Sequence, residues 1–257
     1  MRLTFLGTGT SFGVPQIGCG CAVCRSTDPR DRRTRVGALV ETDTGGRILI
    51  DTPPELRLQL VALGVDRIDA VLFTHDHADH THGIDDIRAF TARGGALDVY
   101  GSAATLGDLQ RKFRYIFDPS VLALPGTYKP EATARPLDEG VPAHIAGVDV
   151  TPVRVTHGRS DVFAFRIGAL AYVTDAKTIP DASLDRLRGA RVFVVNGLFF
   201  EPHPTHLSIP EAIELARAIG AERTYLTHLT HRYSHAELES RLPPDVRPAY
   251  DGLTVEV

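Results

Sequence analysis

The chain has 257 residues, near the upper size for one hydrophobic core, so its length predicts one domain over 1–257, built as one unit or as two halves sharing a core. Its make-up, 43% hydrophobic and 23% charged, is that of an ordinary globular protein, and 28 Lys and Arg against 32 Asp and Glu leave a net charge of −4. That balance argues against gripping nucleic acid through bulk positive charge, and no stable nucleic-acid partner is expected.

The start, MRLTFLGTGTSFGVP, enters a strand pattern and a glycine turn without the features of a secretory signal, and no stretch approaches the ~18 to 20 apolar residues of a membrane span. A cytoplasmic location is therefore expected. Strand patterns follow at 2–6, 38–42 and 47–51, then PELRLQLVALG (54–64) opens on prolines and ends on glycine, as a helix does. DAVLFT (69–74) reads as a buried strand running into a very polar loop, and helices are predicted at 83–90 and 102–115. The stretch 118–146, rich in Pro, Gly and charge, reads as a connection between two halves. Strands are predicted at 148–157, 162–167, 170–175, 190–197, 223–228 and 253–257, with helices near 181–188 and 234–241. SIPEAIELARAIG (208–220) carries Ser208 as N-cap, Glu211 three residues on and a closing glycine. Strands alternating with helices in this way predict an α/β protein whose sheets are covered by helices.

Chemistry enters where apolar strands stop. THDHADH (74–80) places His75, His77, Asp79 and His80 directly after a strand, and imidazole with carboxylate suits Zn, Mn or Fe. These are too many ligands for one ion that also keeps an open position, so two ions are the simpler reading. His157 follows VRVT, Asp175 follows LAYVT and His228 follows TYLT, which points to one shared site. All three cysteines of the chain, Cys19, Cys21 and Cys24, lie in GCGCAVC. In a reducing compartment such a cluster reads as metal-binding, one ligand short of a closed zinc site. His231, three residues after His228, is free to complete it as a structural Cys₃His zinc.

HDHADH resembles the HxHxDH signature of the metallo-β-lactamase fold, and His157, Asp175 and His228 fall in the order in which that superfamily supplies its other ligands. The resemblance implies an αββα sandwich of two mixed sheets, with His75, His77 and His157 on one catalytic metal, Asp79, His80 and His228 on a second, and Asp175 bridging them. Two divalent ions about 3.5 to 4 Å apart can lower the pKa of a bridging water and stabilise a leaving oxygen, which suits phosphodiester hydrolysis. GVPQIGCGCAVC together with LTHLTH is similar to the PhnP-like cyclic phosphodiesterases, in which the three cysteines and the second histidine bind structural zinc. That likeness implies a small cyclic phosphodiester, a cyclic nucleotide or phosphoribosyl cyclic phosphate, as substrate and a homodimer. It also marks His206 in PTHLS as the histidine facing the phosphate, with His203 as its rival.

Asp51, at the end of RILID, resembles a buried family aspartate that fixes a histidine tautomer; capping the following turn is the equal alternative. GTGTSFG (7–13) lacks the ending of a phosphate loop and reads as a tight turn placing the cysteine loop beside the site. RSTDPRDRRTR (25–35) reads as a solvated, internally paired surface, with a phosphate-facing rim as the alternative, and His82, His144 and His235 as ordinary surface residues. GIDDIR (83–88) reads as a branch mark of the group or simply as the first turn of a helix. VVNGLFF departs from the relatives' acidic residue at that strand end, so Asn196 puts a shared substrate pocket in question. Other hydrolyses on this fold, of a lactone, thioester or β-lactam, are alternatives. A ribonuclease Z-like nuclease is disfavoured by the short spacing from His157 to Asp175, and a zinc-stabilised nucleic-acid-binding module by the net negative charge.

Overall fold

The computed structural model describes residues 1–257, apart from the side chains at 93 and 94. Among the described residues, fourteen strands form two sheets of seven. In chain order they are β1 (Arg2–Gly7), β2 (Gly37–Glu41), β3 (Arg47–Ile50), β4 (Ala70–Leu72), β5 (Leu97–Gly101), β6 (Ala132–Pro136), β7 (Ala143–Ile145), β8 (Val148–His157), β9 (Ser160–Ile167), β10 (Leu170–Val173), β11 (Val192–Asn196), β12 (Arg223–Thr227), β13 (Val246–Pro248) and β14 (Thr254–Glu256). The helices are α1 (Leu56–Ala62), α2 (Ala78–Thr81), α3 (Arg88–Gly94), α4 (Ala103–Lys112), α5 (Arg114–Phe117), α6 (Asp181–Leu187), α7 (Ile209–Ile219) and α8 (His235–Arg241).

The sheets follow the orders β14-β1-β2-β3-β4-β5-β6 and β13-β12-β11-β10-β9-β8-β7. Each runs antiparallel through its first strands and parallel from β3 to β6 or from β10 to β13. The second half thus repeats the first. Alternation along the central strands builds the layers. Ile48 and Ile50 of β3 meet Phe165, Tyr172 and Val194 between the sheets. Leu49 and Val71 turn outward onto Leu56, Leu60 and Leu109 of the first helical layer. Phe193 and Val195 turn outward onto Leu187, Ala212 and Ala216 of the second. Strands covered on both faces need no polar side, and β4, β10 and β11 are buried at every residue. The result is the expected αββα sandwich of two mixed sheets.

Several local expectations change. The stretch 118–146 contains β6 and β7, short strands that bear enough polar residues to pass for a connection. The polar run after β4 is partly helical, because α2 starts one residue beyond His77. GIDDIR becomes a 3₁₀ turn over Ile84–Ile87 leading into α3. The capping box of Ser208 and Glu211 and the left-handed Gly220 close α7 as expected. Among the described residues no helix is long and apolar enough to cross a membrane.

Candidate metal centre

The parallel strands of both sheets end at one edge of the sandwich, where such sheets present ligands. Asp51 follows β3, His75 follows β4, Asp175 follows β10, His228 follows β12, and His157 ends β8. Asp51, Asp175 and His228 have φ of 63°, 55° and 56°. Left-handed backbone is costly for such residues, and here it turns the chain sharply as each strand releases its polar side chain.

A hydrogen-bond network sets the imidazole tautomers. Asp51 accepts from the Thr74 amide at 2.9 Å, the Thr74 hydroxyl at 2.8 Å and His80 Nδ1 at 2.7 Å. With its proton given to Asp51, the Thr74 hydroxyl accepts from His75 Nδ1 at 2.9 Å. His157 Nδ1 donates to the Thr205 carbonyl at 2.9 Å. All three rings therefore carry a proton on Nδ1 and turn Nε2 towards the cluster. This is the orienting role open to Asp51 from sequence, and it reaches two histidines rather than one.

The free nitrogens converge. His80 Nε2 lies 3.2 Å from Asp175 Oδ2 and 3.5 Å from Asp79 Oδ2, while His228 Nε2 lies 3.2 Å from Asp175 Oδ1. Ligand atoms of Asp79, His80 and His228 all fall within 4.8 Å of one another, as do those of His75, His80 and Asp175. The His77 ring lies 4.4 Å from that of His75 and 5.2 Å from that of His157, centre to centre. Nε2 of His75 and of His80 and both nitrogens of His228 are buried without a hydrogen-bond partner, a cost that coordination would remove. The donor set fits divalent metal.

Electrostatics points the same way. Burial works to raise Asp175, but the imidazoles of His228 and His80 hold it well below the usual carboxylate range. Burial drives His75 well below the ordinary histidine value, whereas for His80 the carboxylates of Asp175 and Asp51 overcome burial and raise it. His206 stands against this cluster, with Nε2 donating to Asp175 Oδ1 at 3.0 Å and Nδ1 against the Thr205 hydroxyl at 2.9 Å. Burial lowers it to about 4 despite the Asp175 contact. His203 lies farther out, beside the Thr205 hydroxyl at 3.2 Å. His206 also falls within 4.8 Å of ligand atoms of His157 and Asp175, a proximity that the sequence reading had not placed. Asn196 is buried, accepts from the Ala176 amide at 2.8 Å and donates to the Ala176 carbonyl at 3.0 Å. It fixes the backbone behind Asp175 rather than lining a pocket, a role that single-sequence reading missed.

The three cysteines and His231 form a second cluster. Their sulfurs lie 3.4, 3.4 and 3.6 Å from His231 Nδ1 for Cys19, Cys21 and Cys24. Sulfur and nitrogen bound tetrahedrally to zinc are separated by about 3.5 Å, given bonds of about 2.3 and 2.0 Å, so this spacing fits. His228 and His231 do fall in different clusters. The arginine run behind the cysteines is only partly a solvated surface. Arg30 pairs with Asp28 at 2.8 Å, as expected, but Arg33 is 1% exposed and donates to the carbonyls of Thr230 and Tyr233. Asp31 is buried beside it and accepts from the His235 amide at 2.6 Å. His235 is likewise buried rather than at the surface, because α8 packs it against Tyr250. His82 and His144 are exposed as expected.

Residues 46–229 match the family described as the beta-lactamase superfamily domain. The chain belongs to the metallo-β-lactamase superfamily. Within that superfamily it is 38% identical to a crystal structure described as a new diphosphatase from the PhnP family, with a TM-score of 0.90, covering 100% of this chain and 97% of that one. It is 39% identical over 98% of its length to an octanoyltransferase from Porphyromonas gingivalis, and 26% identical to a ribonuclease Z from Bradyrhizobium sp. over 99% of both chains. The chain spans about half, 51%, of that octanoyltransferase. By that likeness the chain belongs, within the superfamily, to the PhnP family.

Proposed function

We propose that the chain is a dinuclear metal-dependent phosphodiesterase acting on small cyclic phosphodiesters. The convergence of buried, partnerless imidazole nitrogens on Asp79 and Asp175 carries this reading. The relative described as a PhnP-family diphosphatase supports the phosphorus chemistry. In this reading His75, His77 and His157 hold one ion, Asp79, His80 and His228 the other, and Asp175 turns one oxygen to each side. Divalent ions, Zn, Mn or Fe, would there supply Lewis acidity and an activated water at neutral pH. The Cys19, Cys21, Cys24 and His231 cluster would hold one structural zinc.

The chain's own residues do the rest. Asp51 holds the tautomers of His80 and, through Thr74, His75. Burial favours a neutral His206, whose Nε2–H donates to Asp175. A substrate phosphate brings negative charge that raises an adjacent imidazole, the condition under which His206 can hold the phosphate or protonate the leaving alkoxide. The test is metal analysis together with hydrolysis of bis(p-nitrophenyl) phosphate by the native chain and Asp79→Ala. About three metals per chain, with turnover lost in the variant, is the expected result. A single metal and no hydrolysis by the native chain would sink the reading.

A second reading has a specific observation behind it. The Porphyromonas gingivalis relative is named for moving an octanoyl group, and the chain spans about half of it. A hydrolase of octanoyl esters or thioesters would act on that same group. Release of octanoate from an octanoyl thioester by the metal-loaded chain, without diester hydrolysis, would favour it.

A further inference from the structure

The cysteine cluster holds every thiol of the chain, so any disulfide formed within one molecule must form there. Its ligand atoms lie within 4.8 Å of one another, and each cysteine is half-buried while Ile17, Gly18, Gly20 and Ala22 around them are exposed. A small polar oxidant reaches these sulfurs without opening the fold. The three are not equivalent. Cys21 and Cys24 sit on one turn, closed by the Arg25 amide on the Cys21 carbonyl at 3.1 Å, and the Cys24 amide donates to Cys21 Sγ at 3.4 Å. Two intervening residues are the spacing at which a short turn brings cysteines into bonding reach, whereas Cys19 and Cys21, one residue apart, would close a more cramped ring.

The loop that carries them is also a wall. A cavity of about 360 Å³ adjoins the candidate centre, and Gln16 and His231 line it together with His206 and His228. Gln16 donates its amide to Cys24 Sγ at 3.3 Å and accepts from the Cys19 amide at 3.0 Å, and His231 Nδ1 faces all three sulfurs. The ends of the wall are held by other means. The Thr8 carbonyl accepts from the Leu229 amide at 2.8 Å, and Arg33 donates to the carbonyls of Thr230 and Tyr233. Loss of the sulfur contacts therefore loosens the wall and leaves the fold standing.

Resting on the structural-zinc reading of this cluster, we propose that Cys21 and Cys24 are a site of reversible oxidation by peroxide, at which disulfide formation expels the zinc and frees the cavity wall. Cys21 Sγ attacks one peroxide oxygen, the O–O bond breaks, and the departing hydroxide takes a proton from solvent and leaves as water, with Cys21 now a sulfenic acid. Cys24 Sγ attacks that sulfur, the S–S bond forms, and the hydroxyl leaves with a second proton as a second water. Two electrons pass from the two sulfurs to one peroxide. Cys19 and His231 remain, two ligands where a closed zinc site uses four.

The experiment treats the zinc-loaded native chain with hydrogen peroxide and follows free thiols, zinc release to a chromogenic chelator, disulfide mapping by mass spectrometry and backbone hydrogen exchange. The zinc count is repeated on Asp175→Ala, which lacks the shared carboxylate of the other cluster, so that the released ion is assigned to the cysteines. Thiols should fall from three to one per chain as about one zinc appears, the bond should map to Cys21 and Cys24, and dithiothreitol with added zinc should reverse both changes. In the oxidised chain the amides at 10–19 and 229–232 should exchange about tenfold faster or more, while those of β12 keep their rate. Three thiols retained under peroxide, oxidation that runs to sulfinic acid without a disulfide, or a bond mapped to Cys19 overturns the site. A disulfide with unchanged exchange at 229–232 overturns its reach to the cavity. If the native chain carries no zinc at the cysteines, the zinc reading fails by itself, and the thiol count and map still decide whether Cys21 and Cys24 form the pair.

Discussion

The His/Asp cluster grows from strand ends in both sheets, whereas the Cys/His cluster joins two loops and borrows nothing from the sandwich interior. His75, His80, Asp175 and His228 are each at most 4% exposed, and the rings of His75, His80 and the neighbouring His157 are oriented by Thr74, Asp51 and the carbonyl of Thr205 respectively before any ion arrives. The cysteines are half-buried, and apart from His231 the groups bonded to their sulfurs are backbone amides of the same short loop. A preorganised cluster with an adjacent cavity suits chemistry. A cluster whose partners lie 207 to 212 residues apart in sequence suits fastening the N-terminal loop to the C-terminal segment.

The largest break in this comparison should come from Asp175→Ala. Its two oxygens face His80 and His228 at 3.2 Å each, so the substitution removes the carboxylate shared between the two halves of the cluster. Turnover of bis(p-nitrophenyl) phosphate should fall by about a thousandfold or more, the worth of several kcal/mol of metal-assisted stabilisation. Metal analysis should show the cysteine-bound zinc retained. Loss of all metal together would mean that the clusters are not independent.

His231→Ala probes the other side. It should remove one zinc and lower Tm by roughly 5 to 10 °C, as expected when a ligand worth a few kcal/mol is lost from a domain of this size. Turnover should suffer less than in Asp175→Ala. An unchanged Tm with one zinc fewer would show that the cysteine loop is not a fastener.

These two clusters were legible in the sequence for different reasons. Apolar runs such as LAYVTD and TYLTH stop abruptly on ligand-type residues, and a strand end is a local signal. The cysteine cluster was legible through spacing alone, and its partner His231 through being surplus to the first site. What stayed hidden depended on distant packing. Arg33 sits in a mixed-charge run that reads as surface, yet the carbonyls of Thr230 and Tyr233 supply a buried seat for it. His235 is buried only because α8 folds back over Asp31 and Tyr250. β6 and β7 are short strands outside the central, doubly covered part of their sheets, and the pairing partners that define them lie elsewhere in the chain. Asn196 reads as a departure from a family pattern, whereas its amide brackets Ala176.

Asp51→Asn sharpens the comparison from inside the first cluster. An amide cannot accept the same three hydrogen bonds while leaving the His80 and His75 tautomers fixed, and outer-sphere changes of this kind cost about 10 to 100-fold in metal affinity or activity. The matching variants of the cysteine loop's surroundings should leave the tautomers of His75 and His80 untouched. Nitrogen-15 shifts of the imidazoles would read this directly. A retained Nδ1–H pattern in Asp51→Asn would remove the aspartate from the orienting role.

The smallest effect concerns the ends of the N-terminal loop, which are fastened without metal. Asp251 accepts from the hydroxyl of Thr8 at 2.8 Å, the amide of Thr34 at 2.7 Å and its hydroxyl at 2.6 Å, joining both ends of the loop to the C-terminal turn. Burial raises its carboxyl to about 6 in spite of these donors. An aspartate raised above its unfolded value of about 4 binds its proton more tightly when folded, so its contribution is fully present below pH 4 and is lost as pH rises through 6. Against Asp251→Asn, which does not titrate, the native chain should therefore lose about 1 to 3 kcal/mol of relative stability between pH 4 and 7, measured by urea unfolding. His231→Ala should keep the same pH window, because the two fasteners hold different parts of one loop. A window that vanishes with the zinc would show instead that the metal sets the geometry at Thr8 and Thr34, and that the loop is held as a single unit.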